Sequence, residues 1–193
     1  MRFLRGICVV VLILQGPADL APAQQPAPTP PQSPGVPPAE EQQRTARETR
    51  KQLEQLACGP SHVHLVHHTE EGQQTLPEPP PDKGLIYVIR TRNLAGSAQQ
   101  ANFAMDGKWV GVNRRGNYFY LEADPGPHYF CLKFRGFAPP GLLSLVIEKG
   151  KIYYLRQNVT LGGGIEVDLL DENEGKKYVA EYHRSSFEEK HHK

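Results

Sequence analysis

The chain has 193 residues, 38% of them hydrophobic, with 22 basic and 21 acidic side chains and a formal net charge of +1. That length accommodates one domain plus appendages. A nearly neutral chain without a basic stripe offers little purchase on nucleic acid or anionic lipid, so neither is an expected partner.

Residues 1–23 carry the pattern of a secretory signal peptide. Arg2 and Arg5 form a basic n-region, Ile7 to Leu14 an apolar h-region, and Ala21-Pro22-Ala23 a small-residue cleavage site. The apolar run falls short of the roughly 20 residues that span a bilayer, so membrane contact is expected only through a transient signal peptide. A retained anchor is the competing reading. A lipid-acceptor cysteine is disfavoured, because Cys8 precedes most of the h-region. Cleavage after Ala23 removes Arg2, Arg5, Asp19 and Cys8, leaving acidic and basic side chains equal in number and two cysteines, Cys58 and Cys131. An even number in an exported chain favours one disulfide.

Residues 24–38 are rich in Pro, Gln, Ala, Ser and Thr and bury too little to offset their ordering entropy, which predicts a disordered Pro-rich linker. Residues 39–58 are Glu-, Gln- and Arg-rich, with Ala46, Leu53, Leu56 and Ala57 as their few apolar positions. They predict a solvated helix stopped by Gly59-Pro60. Within residues 59–83, Ser61 to Thr69 reads as an edge strand and the remainder as a loop rich in Pro and Glu. A β-sandwich domain is expected over residues 84–182.

Leu85 to Ile89 is apolar on both parities, as suits a central strand covered on both faces. Gln99 to Met105 alternates. From Asp106 to Phe134, three apolar-aromatic runs are separated by Gly-, Asn- and Pro-containing turns, the pattern of an antiparallel meander. Asp106-Gly107 supplies the positive φ of a tight hairpin, and Asp124-Pro125-Gly126 presets another turn. Leu143, Leu145 and Ile147 alternate before a hairpin turn at Glu148 to Lys151, followed by Ile152 to Leu155. Ile165, Val167 and Leu169 form a further alternating strand. Strands recurring at such spacing predict a sandwich or small barrel. Its expected core comprises Leu85, Tyr87, Ile89, Phe103, Phe119, Leu121, Phe130, Leu132, Leu145, Ile147, Leu155, Val167 and Leu169. Asp171, with Glu174 three residues on, opens a closing helix whose Tyr178, Val179 and Tyr182 share a face. Residues 183–193 read as a charged, frayed tail.

Phe130, Leu132 and Phe134 should face the core, which sends Cys131 to the outer face with Tyr129 and Lys133. A partner arriving from outside can reach it there. The expected disulfide therefore joins Cys58 to Cys131 and staples the N-terminal segment across that face.

Lys83-Gly84-Leu85-Ile86-Tyr87-Val88-Ile89-Arg90, Asp106-Gly107-Lys108-Trp109-Val110-Gly111, Gly150-Lys151-Ile152-Tyr153-Tyr154-Leu155-Arg156 and Leu169-Leu170-Asp171-Glu172-Asn173-Glu174-Gly175-Lys176 together resemble the bacterial domain-of-unknown-function family 2846 over about residues 83–182. The resemblance implies an exported or envelope-associated β-sandwich domain without an established activity, and it supplies no catalytic residues. The stretch from Asp106-Gly107 to Pro125-Gly126 is also similar to PEGA-type surface domains, which implies a prealbumin-like sandwich. The expected fold is thus all-β: an antiparallel β-sandwich, prealbumin- or Ig-like, with a short C-terminal helix, preceded by the linker and the N-terminal helix.

Three features bear on chemistry. His62, His64, His67 and His68 lie within seven residues, and His62 and His64 would share one strand face, a spacing that can hold a divalent metal. Solvated edge-strand histidines are the plainer explanation. Nucleophile elbows, phosphate loops and zinc-hydrolase motifs are absent from the sequence, so no catalytic residue and no cofactor is assigned. Gly162-Gly163-Gly164 lacks the following Lys-Ser/Thr of a phosphate loop. Trp109, Tyr118, Tyr120 and Tyr154, with Tyr129, are candidates for an outer stacking surface for glycan. The expected role is an exported cell-envelope module, non-catalytic, contacting an envelope protein or cell-wall glycan. The alternative is a metal-binding protein or metal-dependent hydrolase using the His62 to His68 cluster.

Overall fold

The computed structural model describes residues 38–61, 63–72, 75–92, 99–134, 139–160 and 164–190. The signal-like residues 1–23, the linker up to residue 37, His62 and the glycines at 162 and 163 lie outside them. Pro38–Lys193 forms one compact unit. In chain order it contains α1 (Ala39–Ala57), β1 (His64–Thr69), β2 (Gly84–Arg90), β3 (Ala101–Met105), β4 (Lys108–Asn113), β5 (Asn117–Ala123), β6 (Gly126–Phe134), β7 (Gly141–Ile147), β8 (Ile152–Val159), β9 (Ile165–Leu169), α2 (Glu172–Glu181) and β10 (His183–Lys190).

The strands form two sheets, one of order β1-β10-β5-β2-β8-β9 and one of order β4-β3-β6-β7. The sandwich is all-β as its alternation predicts. The six-stranded sheet is mixed rather than antiparallel throughout, because β10 runs parallel to β5 and β2 parallel to β8.

All seven residues of β2 are buried. Ile86 and Val88 face the layer between the sheets, with Phe103, Phe119, Phe130, Leu132, Phe134, Ile147 and Leu155. Leu85, Tyr87 and Ile89 face the opposite way, into a second apolar layer with Tyr118, Tyr154, Leu170 and Val179 of α2. The expected core placed these three between the sheets. A strand that is apolar on both parities cannot reveal which parity faces which layer. Leu169, also expected in the core, is 53% exposed at the end of β9.

The Asp106-Gly107 turn is the expected hairpin, joining β3 to β4 with φ of 50° and 77°. The three strands that follow do not form a meander. β4 lies in the four-stranded sheet, β5 in the six-stranded one, and β6 returns to the four-stranded sheet. The Arg114–Gly116 and Asp124-Pro125 turns are thus corners between sheets, and so is Glu148–Lys151, where a hairpin was expected. Turn residues encode a reversal of direction but not the sheet that receives the next strand.

α2 begins as read: the Asp171 carboxylate accepts a hydrogen bond from the Glu174 amide at 2.9 Å. Gly175 lets the helix lie close on the sheet, since a Cβ there would collide with the Tyr154 ring. α1 is exposed along most of its length and docks by its last turn. Ala57 is buried with Ala104 and Cys131, beside Trp109, Tyr129 and Leu142. The Cys58–Cys131 disulfide closes this contact with Cα atoms 5.0 Å apart, on the outer face expected for Cys131. The Gly107 amide donates to the Ala57 carbonyl at 3.2 Å.

The C-terminal segment is not a frayed tail. β10 pairs antiparallel with all of β1, from His64↔Lys190 to Thr69↔Ser185, and inserts between β1 and β5. Leu65 of β1 is buried. β1 is an edge strand, as its sequence suggests.

Candidate functional site

The outer face of the six-stranded sheet carries a transverse row of tyrosines. Tyr154 of β8, Tyr87 of β2 and Tyr120 of β5 occupy directly facing positions on three neighbouring strands. Tyr87 stacks on Tyr154 with ring centroids 5.3 Å apart and lies tilted to Tyr120 at 5.8 Å and to Tyr118 at 6.0 Å. Burial, reinforced by the neighbouring phenols of Tyr154, Tyr118 and Tyr120, pushes the Tyr87 hydroxyl up to about 12. The Tyr87 hydroxyl is therefore protonated and a hydrogen-bond donor at physiological pH.

Charged groups border it. The Arg184 guanidinium sits 4.6 Å from the centroid of the Tyr120 ring, and Arg92 sits 4.7 Å from that of Tyr182. On α2, Tyr178 packs against Tyr182 and donates to Glu174 Oε1 at 3.1 Å. Glu174 also meets Arg156, whose Nη2 reaches Asp168 at 3.0 Å.

A strap crosses this face from the side of β1. Leu76-Pro77-Glu78-Pro79-Pro80-Pro81 is covalently biased to an extended polyproline conformation. Each proline fixes its own φ, and each residue before a proline is excluded from the helical region. The Tyr87 hydroxyl stands 3.5 Å from the Pro77 carbonyl oxygen, a long hydrogen bond. Pro77, Pro79 and Pro80 are half-buried, while Leu76, Glu78 and Pro81 are exposed. At its far end the Lys83 amide donates to Pro80 O, and the Lys83 carbonyl accepts from Gly150.

The aromatic residues expected to form one stacking surface are split between two. Tyr118 and Tyr154 are 2% and 5% exposed and form the floor of the tyrosine layer. Tyr120 is half-buried there. Trp109 lies on the four-stranded sheet, packed beside Cys58 and Tyr129, with Nε1 donating to Pro60 O at 2.8 Å. Strand parity predicted exposure for Tyr118 and Tyr120, but α2 and the strap supply a layer that parity does not see. Tyr87, Tyr178 and Tyr182 are the members that sequence reasoning left out of the site. The signal for them was Leu85 to Ile89 being apolar on both parities, which requires something to cover the second face.

The histidines do not gather either. Strand alternation puts His64 and His68 on one face of β1 and His67 on the other. His67 Nε2 lies 3.0 Å from Ser185 Oγ, and His68 Nε2 lies 3.8 Å from Glu188. Among the described residues, no three His, Cys, Asp or Glu side chains converge as a metal site. His128 is engaged elsewhere: Nδ1 meets Asp106 Oδ2 at 2.6 Å and Nε2 meets the Asp124 carbonyl at 2.8 Å.

A polar cluster inside the sandwich carried no sequence signal. Arg90, Asn113 and Gln157 are fully buried. Asn113 Nδ2 donates to Val88 O at 2.9 Å and to Gln157 Oε1 at 3.2 Å, and Arg90 Nη1 donates to Gln157 O at 3.1 Å. Arg90 also lies over the Phe134 ring. Burial first, then the nearby charge of Arg115, lowers its guanidinium to about 10. At neutral pH it remains charged and pins the ends of β2 and β8 together.

A family described as a protein of unknown function, DUF2846, matches residues 80–168. The matched span runs from the end of the strap through β2 to β9. It leaves α1, β1, α2 and β10 outside. No curated protein and no solved structure matches the chain. The similarity to PEGA-type domains is not carried by any of these findings.

Proposed function

We propose that this chain, a DUF2846 domain over residues 80–168, is an exported, non-catalytic module of the cell envelope that works through contacts with a protein or with cell-wall glycan. The Cys58–Cys131 disulfide is the observation that carries this reading. It joins the end of an otherwise exposed helix to a buried position of β6, so this docking depends on a bond that persists in oxidising compartments and is rare in reducing ones. The signal-like pattern of residues 1–23 points the same way. Among the described residues, no observation favours the histidine-based alternative.

Fractionation of cells expressing the full chain, with thiol alkylation before and after reduction, tests the reading. The expected result is a shortened chain in the envelope or medium whose Cys58 and Cys131 alkylate only after reduction. An intact, reduced chain confined to the cytoplasm would overturn it.

A further inference from the structure

We infer that the tyrosine row of the six-stranded sheet is a docking surface for proline-rich, extended peptide, and that the strap from Pro77 to Pro80 is its resident occupant within the chain. This rests on the reading of the domain as an interaction module and names the chemistry of its partner.

A polyproline II helix repeats every three residues and makes no internal hydrogen bonds, so its carbonyls look outward for donors and its rings look for flat apolar surface. Pro77 and Pro80, three residues apart, are both half-buried, Glu78 and Pro81 are both exposed, and the third side is mixed, with Leu76 exposed and Pro79 half-buried. This is the periodicity of one polyproline face turned toward the sheet. The receiving surface has the matching chemistry. Tyr87 and half-buried Tyr120 offer adjoining aromatic area on neighbouring strands, beside Tyr154, which α2 covers, and the Tyr87 hydroxyl is directed at a strap carbonyl. Aromatic-lined grooves with such donors are how polyproline is recognised in general, at low entropic cost because the ligand is already ordered. Half-buried Tyr120, with Arg184 over its ring, leaves part of the row open to solvent. The chain itself is rich in the complementary ligand: residues 26–38 read Pro-Ala-Pro-Thr-Pro-Pro-Gln-Ser-Pro-Gly-Val-Pro-Pro. A proline-rich segment supplied by another molecule would compete with the strap, which acts as a tethered ligand at an effective concentration on the order of millimolar.

The test titrates the purified, oxidised full chain with a synthetic peptide of the 26–38 sequence and with a version whose prolines are alanines. Wild type should bind the proline-rich peptide weakly but saturably. Pro77→Gly/Pro80→Gly, which loosens the strap, should bind it roughly tenfold more tightly, the advantage expected when a tethered competitor is removed. Tyr120→Ala, and the proline-free peptide, should show no saturation. A flat titration in both wild type and the loosened strap overturns the inference. So does equal binding of the proline-free peptide, or saturable binding of a muropeptide in place of the proline-rich one. If the strap variant fails to fold, wild type against Tyr120→Ala at millimolar peptide decides. Because the titration uses purified protein, its failure leaves the compartment reading intact, and a cytoplasmic location would leave the groove intact.

Discussion

His67 in β1 is half-buried, with Ser185 at its Nε2 and Arg114 and His68 nearby. Burial, then the charges of Arg114 and His68, lower it from 6.5 to about 4. The fold thus favours the neutral ring. Its contribution to stability is fully present above about 6.5 and is lost as pH falls from there toward 4, because the unfolded chain takes up the proton first. Urea-unfolding midpoints should drop over that window in wild type, and drop less in His67→Gln. His128 runs the other way. Burial lowers it, but the hydrogen bonds to Asp106 and to the Asp124 carbonyl, with both carboxylate charges, outweigh that and raise it above its ordinary value. Its two ring nitrogens face a carboxylate and a carbonyl, both acceptors, so the geometry calls for both to carry protons. Its contribution is complete below 6.5 and is lost as pH rises through the raised value. His128→Gln should flatten the alkaline limb of the stability profile and leave the acid limb in place. Neither environment was legible in the sequence, since Ser185 and Arg114 come to His67, and Asp106 to His128, from distant positions in the chain.

Elements were more legible than residues wherever one face was apolar and the other polar. β6 is the clear case: Phe130, Leu132 and Phe134 proclaim the inward parity, and the structure buries all three. Leu132→Ala should cost about 2–5 kcal/mol, whereas Leu169→Ala, at a 53% exposed position, should stay within roughly 0.5 kcal/mol. Chemical denaturation of the two variants side by side checks both. Similar losses would mean that β9 packs its end residue against something. β2 shows why alternation fails when both parities are apolar. β10 shows the opposite failure, for His-Arg-Ser-Ser-Phe-Glu-Glu-Lys has neither alternation nor strand propensity. It is a strand because the open edge of β5 and the backbone of β1 need partners, a tertiary demand that overrides local preference. The allocation of strands to sheets was equally hidden, because corners and hairpins use the same turn residues.

At the scale of the molecule, the disulfide was readable because parity placed Cys131 outside and because the signal-like pattern around Cys8 left Cys58 as the partner to expect. It spans a sequence separation of 73 residues, and in the chain-entropy model a loop of that size contributes about 4 kcal/mol, a large part of the 5–15 kcal/mol typical of a whole domain. Cys58→Ser should therefore lower the unfolding midpoint sharply. Wild type measured under reducing conditions should match it, and a variant as stable as the oxidised protein would mean that the helix needs no clamp. The β1–β10 ribbon closes a still longer circuit, joining residues 64–69 to residues 185–190. A chain made from its N-terminus onward produces β1 well over a hundred residues before its partner. Throughout that interval β1, Leu65 included, lacks the strand it pairs with. Contacts of such long sequence separation form slowly and leave incomplete species prone to wrong pairing. Residues 185–190 are thus the ones that end the nascent chain's vulnerable period, and a chain truncated before them would carry a sandwich with an unsealed edge.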